Sequence, residues 1–299
     1  MVVNSGNCMV LGFHSSQRQA ELLANQLAVP CAKINVHSFP DGESRVTIPT
    51  NLPDTVLFMQ SLDNPNAKLI ELILALEASR RHGCRNAVLI APYLSYMRQD
   101  IEFEPGQAVS QLIIGDLLSS RLEAVITIDP HLHRINHLSD SFTKCVAVSL
   151  SAAATIGQHL KTGPENRILV GPDEESEQWV KTAAEVSGLP YCIASKVRHG
   201  DRNVEVSLPE GDFQEKHAIL VDDVISSGHT IKQAAIKLLH AGCRQVDAAC
   251  THALFASGAM TELRNAGVTN IISSNSIPHD TNSIDLTTLI AEAVEQLAK

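Results

Sequence analysis

HAILVDDVISSGHTIKQAAIKLLHAG, residues 217–242, packs a strand, a turn and a helix into one run. The run from His217 to Val224 is short, nearly all apolar and rich in branched side chains, the pattern of a strand buried on both faces. From Thr230 the apolar positions recur at helical spacing until Gly242, a residue suited to ending a helix. A strand that feeds directly into a helix is half of a βαβ unit, and open parallel sheets of such units collect ligands at the carboxyl ends of their strands.

The same alternation extends in both directions. Strands are expected at 7–13, 55–61, 86–93, 123–129, 167–173, 245–255 and 270–277. Helices are expected at 15–28, capped by Ser15 or Ser16, and at 66–83, 108–122, 174–188 and 258–267, with a last one from about Ser283. Segments 191–197 and 203–208 read as a hairpin. The pattern predicts an α/β fold of two similar domains, 1–146 and 147–299, each a mostly parallel sheet flanked by helices. The last helix is free to fold back onto the first domain.

In the opening stretch, Asp222 and Asp223 reach the carboxyl end of their strand. The loop Ser226-Ser227-Gly228-His229-Thr230 then meets a helix N-terminus, where free N–H groups and the helix dipole attract phosphate. The acids suit sugar hydroxyls or a metal. No GK[ST] or GxGxxG pattern is present, and the plain alternative is a helix cap formed by Ser226 or Ser227. Other strand ends carry similar chemistry. Phe39-Pro40-Asp41-Gly42-Glu43 is a turn exposing an aromatic face and two carboxylates. Arg98 and Gln99 follow the 86–93 strand; the guanidinium suits a phosphate, or else a surface ion pair with Asp100. Asp129 and His131 follow the 123–129 strand and suit a shared metal, while His131, His133 and His137 are otherwise ordinary loop or core histidines. Asp173 closes another strand, and Lys196 and Arg198 stand beside the polar stretch HGDRN, as in a loop that closes over substrate or a solvated basic turn.

Taken in order, FPDGE, SYMRQD, TIDPH, GPD, KVR and VDDVISSGHT resemble the ribose-phosphate diphosphokinase family over nearly the whole chain. The last motif alone also resembles the type I phosphoribosyltransferases. The resemblance implies two phosphoribosyltransferase-like domains and transfer of the diphosphoryl group of ATP to the anomeric hydroxyl of ribose 5-phosphate, with AMP as co-product. It implies ATP contacts from Phe39, Asp41, Glu43, Arg98 and Gln99, the first three reaching from a neighbouring subunit of a homo-oligomer. His131, with Asp129 and Asp173, would serve Mg²⁺; Asp173, Asp222, Asp223 and Ser226 to Thr230 would hold ribose 5-phosphate. Lys196, Arg198 and Arg98 would be the catalytic cations. Departures occur at Glu174-Glu175, where small residues are common, at Ser226 in place of a common Asp, and at His229 in place of a common Gly. They leave open a silent regulatory homologue or a different sugar phosphate.

The chain has 299 residues, 33 Asp and Glu against 23 Lys and Arg, and a net charge of −10. That balance excludes a general nucleic-acid binder, as does an aromatic content of 4%. Several of the acids are the strand-end residues named above, where they serve metal or hydroxyls. No run of about 18 apolar residues is present, so no membrane span is expected, and the opening residues lack the pattern of a secretory leader. Seven scattered Cys without a CxxC pair are read as reduced thiols of a cytoplasmic protein.

Overall fold

The computed structural model describes residues 7–132, 134, 137–199 and 203–297. Two compact units result, residues 1–150 with 287–299, and residues 151–286.

Unit 1 runs β1 (Cys8–Gly12), α1 (Gln17–Leu27), β2 (Cys31–Lys33), β3 (Asn35–Ser38), β4 (Ser44–Thr47), β5 (Thr55–Met59), α2 (Pro65–Arg81), β6 (Asn86–Ala91), α3 (Ser110–Ser119), β7 (Ala124–Ile128) and β8 (Val146–Leu150). Unit 2 runs α4 (Ala153–His159), β9 (Arg167–Gly171), α5 (Glu177–Ser187), β10 (Tyr191–Ile193), β11 (Ser195–His199), β12 (Asn203–Ser207), β13 (His217–Ile225), α6 (His229–His240), β14 (Gln245–Ala253), α7 (Ala259–Asn265), β15 (Val268–Ser274) and β16 (Asn282–Ile284). The final helix, α8 (Thr287–Leu297), belongs to unit 1 and packs on α1.

Each unit is built on a six-stranded parallel sheet, ordered β2-β1-β5-β6-β7-β8 in one and β10-β9-β13-β14-β15-β16 in the other. The two orders are the same. In both, an antiparallel hairpin, β3–β4 or β11–β12, is inserted between the edge strand and the third strand of the sheet. Every residue of β5, β7 and β9 is buried, which is why these strands are mostly apolar. One face of the unit 1 sheet stacks Leu11, Val56, Phe58, Leu89 and Val125 against Leu69, Leu72 and Leu76 of α2 and Leu118 of α3. In unit 2, Val170, Leu220, Ala248 and Cys250 pack with Ile231, Ala234 and Leu238 of α6. Truncating one such Leu to Ala costs about 2–5 kcal/mol.

The structure differs from the sequence reading at edges. The final helix begins at Thr287, not near Ser283, because Asn282–Ile284 first pairs with β15. The segment 191–197 is not a single hairpin arm. Tyr191–Ile193 joins the sheet beside β9, and the chain breaks at buried Ala194 before the hairpin starts at Ser195. Val146–Leu150 completes the first sheet at its far edge, beside β7.

Candidate functional site

In unit 2 the site is a carboxylate edge above a small-residue loop. β13 pairs with β9 in the register Leu220 opposite Val170, so continuing it brings Asp222 and Asp223 level with the Pro172-Asp173 end of β9. Asp223 and Asp173 are buried, and Asp222 is half-buried. Burial raises the Asp222 pKa well above the usual carboxylate range, and the charges of Asp223 and Asp173 raise it further. Three carboxylates gathered at neighbouring strand ends are suited to hydroxyl donors or a cation. Beside Asp222 in the register lies Cys250, whose thiol is pushed up by complete burial and then by the Asp222 charge, so it is no nucleophile.

The chain leaves β13 through Ser226 and Ser227 and enters α6 at Gly228, with φ of +73°. A side chain at Gly228 would strain the left-handed backbone and press on Leu263, whose carbons lie 3.2–3.3 Å from the position of its Cβ. The N-cap position, Gly228, has no side chain to cap the helix, but Ser227 Oγ accepts the N–H of His229, the first residue of α6, at 3.4 Å, as the plain capping alternative expects. The exposed His229 ring has its Nε2 3.0 Å from Gln233 Nε2, one turn along α6.

Asp173 has local work as well. Its carboxylate accepts the Ser176 N–H at 3.3 Å and its carbonyl accepts the Ser176 hydroxyl, capping the short turn that starts α5. Glu174 and Glu175 are exposed on that turn. Lys196 and Arg198 lie on β11; their side chains, and residues 200–202 at the hairpin tip, lie outside the described residues.

In unit 1 the loop equivalent by topology follows β5, and it is closed internally. Lys68 Nζ donates to Ser61 O at 2.9 Å and to Asp63 Oδ1 at 2.7 Å. Unit 1 carries other groups. Phe39, Asp41 and Glu43 are all exposed at the tip of the β3–β4 hairpin, which is closed by Phe39 N–H to Glu43 O at 2.8 Å and Gly42 N–H to Phe39 O at 2.9 Å. Phe39 meets the His37 ring edge-on at 4.9 Å, with Arg45 5.9 Å from its centroid.

Arg98 is exposed and makes no ion pair among the described residues. The alternative partner, Asp100, is taken by Arg134 at 2.7 Å. Gln99 Nε2 donates to Gln107 Oε1 at 3.3 Å. Asp129 is buried and His131 half-buried on the loop after β7, and both have positive φ, +38° and +53°. His133 lies outside the described residues. His137 caps the following turn, with its N–H given to Asp140 Oδ2 at 3.3 Å. No three His, Cys, Asp or Glu side chains among the described residues group as a metal cage. Asp129 and His131 offer one oxygen and one nitrogen, which fits a Mg²⁺ that takes most of its ligands from phosphates and water.

Two contributions escaped the sequence reading. One is Arg134. The other is His252 on β14, fully buried, whose Nδ1 lies 2.9 Å from Ser276 Oγ. Ser274 and Ser276 both donate to Thr251 O, at 2.6 and 2.7 Å, so the strands beside the acids are tied by a buried polar network.

A strand-end acid pair, a left-handed glycine and a helix start thus stand together at one edge of the unit 2 sheet. Accordingly, the phosphoribosyl transferase domain family matches residues 142–288, and the N-terminal domain of ribose phosphate pyrophosphokinase matches residues 8–121. The chain is 33% identical to the ribose-phosphate pyrophosphokinase of Methanopyrus kandleri over 97% of its own length and 99% of the relative's. It is 31% identical to ribose-phosphate pyrophosphokinase 2 of Archaeoglobus fulgidus over 94% and 97%. The chain belongs to the ribose-phosphate pyrophosphokinase family. The phosphoribosylpyrophosphate synthetase of Mycobacterium smegmatis has the same fold, with a TM-score of 0.80 at 23% identity over 97% of this chain and 98% of that one.

Proposed function

We propose that the chain transfers the β,γ-diphosphoryl group of Mg-ATP to the anomeric hydroxyl of ribose 5-phosphate, releasing AMP and phosphoribosyl pyrophosphate. The observation that carries this reading is the carboxylate edge at Asp222-Asp223 running into the Gly228 turn of α6, in a chain aligned to its relatives over its whole length.

The helix start at Ser226 to Thr230 receives the 5-phosphate through backbone N–H groups and hydroxyls. Asp222 and Asp223 accept hydrogen bonds from the ribose hydroxyls and fix the anomeric oxygen in line with the β-phosphorus, with Asp173 beside them. That oxygen forms the new O–P bond as the bond from the β-phosphorus to the α,β-bridging oxygen breaks, and the hydroxyl proton leaves to solvent. Such a transfer depends on positioning and on cations that meet the moving charge. Lys196, Arg198 and Arg98 supply them. His131 and Asp129 would hold a Mg²⁺ together with the nucleotide, which would offset phosphate charge, and Asp173 would serve a second Mg²⁺ near the ribose. Gln99 contacts the nucleotide, and Phe39, Asp41 and Glu43 meet the adenosine of a neighbouring subunit, since an exposed ring at a hairpin tip has its face available to a base.

The protein on this reading is a cytoplasmic homo-oligomer; no described helix is long and apolar enough to cross a membrane. His229 with Gln233 at the phosphate-facing helix start favours testing other sugar phosphates beside ribose 5-phosphate. Phosphorus NMR of the reaction mixture tests the proposal: AMP and a new pentose diphosphate signal are expected, and ADP as the nucleotide product rejects it.

A further inference from the structure

Two loops at the carboxyl edge of the unit 1 sheet carry the groups assigned above to the nucleotide. Residues 92–109 follow β6 and bear Arg98 and Gln99, and residues 129–137 follow β7 and bear Asp129 and His131. The Arg134 guanidinium joins them. Arg134 Nη1 donates to Asp100 Oδ1 at 2.7 Å, and the Arg134 Cζ lies 5.4 Å from the Phe103 ring centre. Arg134 therefore grips the neighbouring loop at two points, one of them next in sequence to Gln99.

The pair is unlike an ordinary surface ion pair, which contributes little. The Asp100 side chain is 0% exposed while that of Arg134 is 52% exposed. Asp100 Oδ2 is buried with no hydrogen-bond partner among the described residues. Among the described residues, the charge of this carboxylate is thus met by Arg134 alone. Without Arg134 a buried carboxylate stands unpaired, and the loop has to move to rehydrate it.

The surroundings make that movement matter. Gln111, fully buried on α3, donates its side-chain amide to Met97 O at 3.0 Å and its backbone N–H to Gln99 O at 3.1 Å. Arg98 therefore sits on backbone clamped on both sides, while its own guanidinium is exposed and makes no ion pair among the described residues. On the other loop, Asp129 and His131 hold positive φ, which non-glycine residues keep only where their surroundings fix them. Arg134 anchors that loop three residues beyond His131.

We propose that Arg134, acting through Asp100, is a positioning residue that sets the Arg98–Gln99 loop against the Asp129–His131 loop. The cation on one loop and the metal-facing groups on the other then meet the same triphosphate. This rests on the nucleotide reading given above. Arg134 does not touch substrate; it fixes a spacing that two independent loops would otherwise lose.

Hydrogen exchange on the free protein tests the tie without any assumption about the reaction. In Arg134→Gln, peptides spanning 97–103 and 124–134 are expected to exchange tenfold faster or more, with β1 and α1 unchanged. Asp100→Asn/Arg134→Gln is expected to recover much of that protection, because a buried neutral amide needs no counter-charge. Steady-state kinetics tests the function. Arg134→Gln should raise KM for ATP about tenfold and lower kcat, leave KM for ribose 5-phosphate within twofold, and be partly rescued in the double variant.

Normal exchange at 97–103, equal rises in both KM values, or a double variant worse than Arg134→Gln would each overturn the proposal. Should Arg134→Gln fail to fold, Asp100→Asn alone decides, with a severalfold higher KM for ATP expected and an unchanged one refuting it. A chain that yields no AMP but whose two loops open together in Arg134→Gln would refute the reaction and keep the tie.

Discussion

Gly228→Ala is the substitution whose cost the structure fixes best. Gly228 has φ of +73° at the start of α6, and Gly188 has φ of +74° at the end of α5. Alanine at either position pays about 1–2 kcal/mol for the left-handed backbone, partly offset by about 0.4–1 kcal/mol from the stiffer unfolded chain. The two sites differ in space. A Cβ at Gly188 meets nothing within 4 Å, whereas one at Gly228 meets Leu263 Cγ, Cδ1 and Cδ2 at 3.2, 3.3 and 3.3 Å. Leu263 is fully buried, so it has to be displaced inside a packed core, an overpacking cost of about 1–3 kcal/mol. Gly228→Ala is therefore expected to be less stable than Gly188→Ala by that amount. At roughly 2–4 °C per kcal/mol, its melting temperature should lie about 2–12 °C lower. On the proposed reading, in which this turn receives the 5-phosphate, KM for ribose 5-phosphate should rise about tenfold, with KM for ATP within twofold. Differential scanning calorimetry of both variants with matched kinetics checks this. Equal melting temperatures, or an unaltered KM for ribose 5-phosphate in Gly228→Ala, would refute the reasoning.

Asp222→Asn should separate stability from activity. Burial and the neighbouring acids raise the Asp222 pKa, so its favourable contribution is complete below 3.8 and is lost as pH rises through the raised folded value. The Asn variant should therefore melt above the native protein at pH 8, with the difference shrinking toward pH 4, while turnover falls about a hundredfold or more; a lower melting point at pH 8 would contradict this. Arg98→Ala, which removes an exposed side chain making no ion pair among the described residues, should leave the melting temperature within about 2 °C and raise KM for ATP about tenfold. Lys196→Ala and Arg198→Ala should each lower kcat by ~10² or more, as for other lost transition-state donors, and near-native rates in both would remove them from the mechanism. If Phe39 completes a neighbour's site, specific activity should fall on dilution in step with dissociation seen by light scattering, and Phe39→Ala should raise KM for ATP without dissociating the assembly.

The βα order was legible because buried strands such as β5 and β9 are short, mostly apolar runs, each followed by a helix. Edge strands were not. β2 and β16 are three residues each and β8 is mostly half-exposed, so no buried run marks them, while three-residue β10 was read as continuous with the hairpin. Site chemistry was legible where one strand end carries it contiguously, as from Asp222 to Thr230. Contacts across sequence were not. Asp100 and Arg134 are 34 residues apart, and His252 and Ser276 are 24 apart, and nothing local in either segment announces its partner. Of the two readings of Arg98, the ion pair with Asp100 is not formed among the described residues, because Asp100 pairs with Arg134.

The central claim is a reaction, and its products test it most directly. The purified full chain is incubated with ATP, Mg²⁺ and ribose 5-phosphate, and nucleotide and sugar products are separated by ion-exchange chromatography. AMP and phosphoribosyl pyrophosphate appearing in equal amounts, and ceasing in EDTA, is the predicted result; ADP in place of AMP, or no nucleotide turnover with any pentose phosphate supplied, would contradict it.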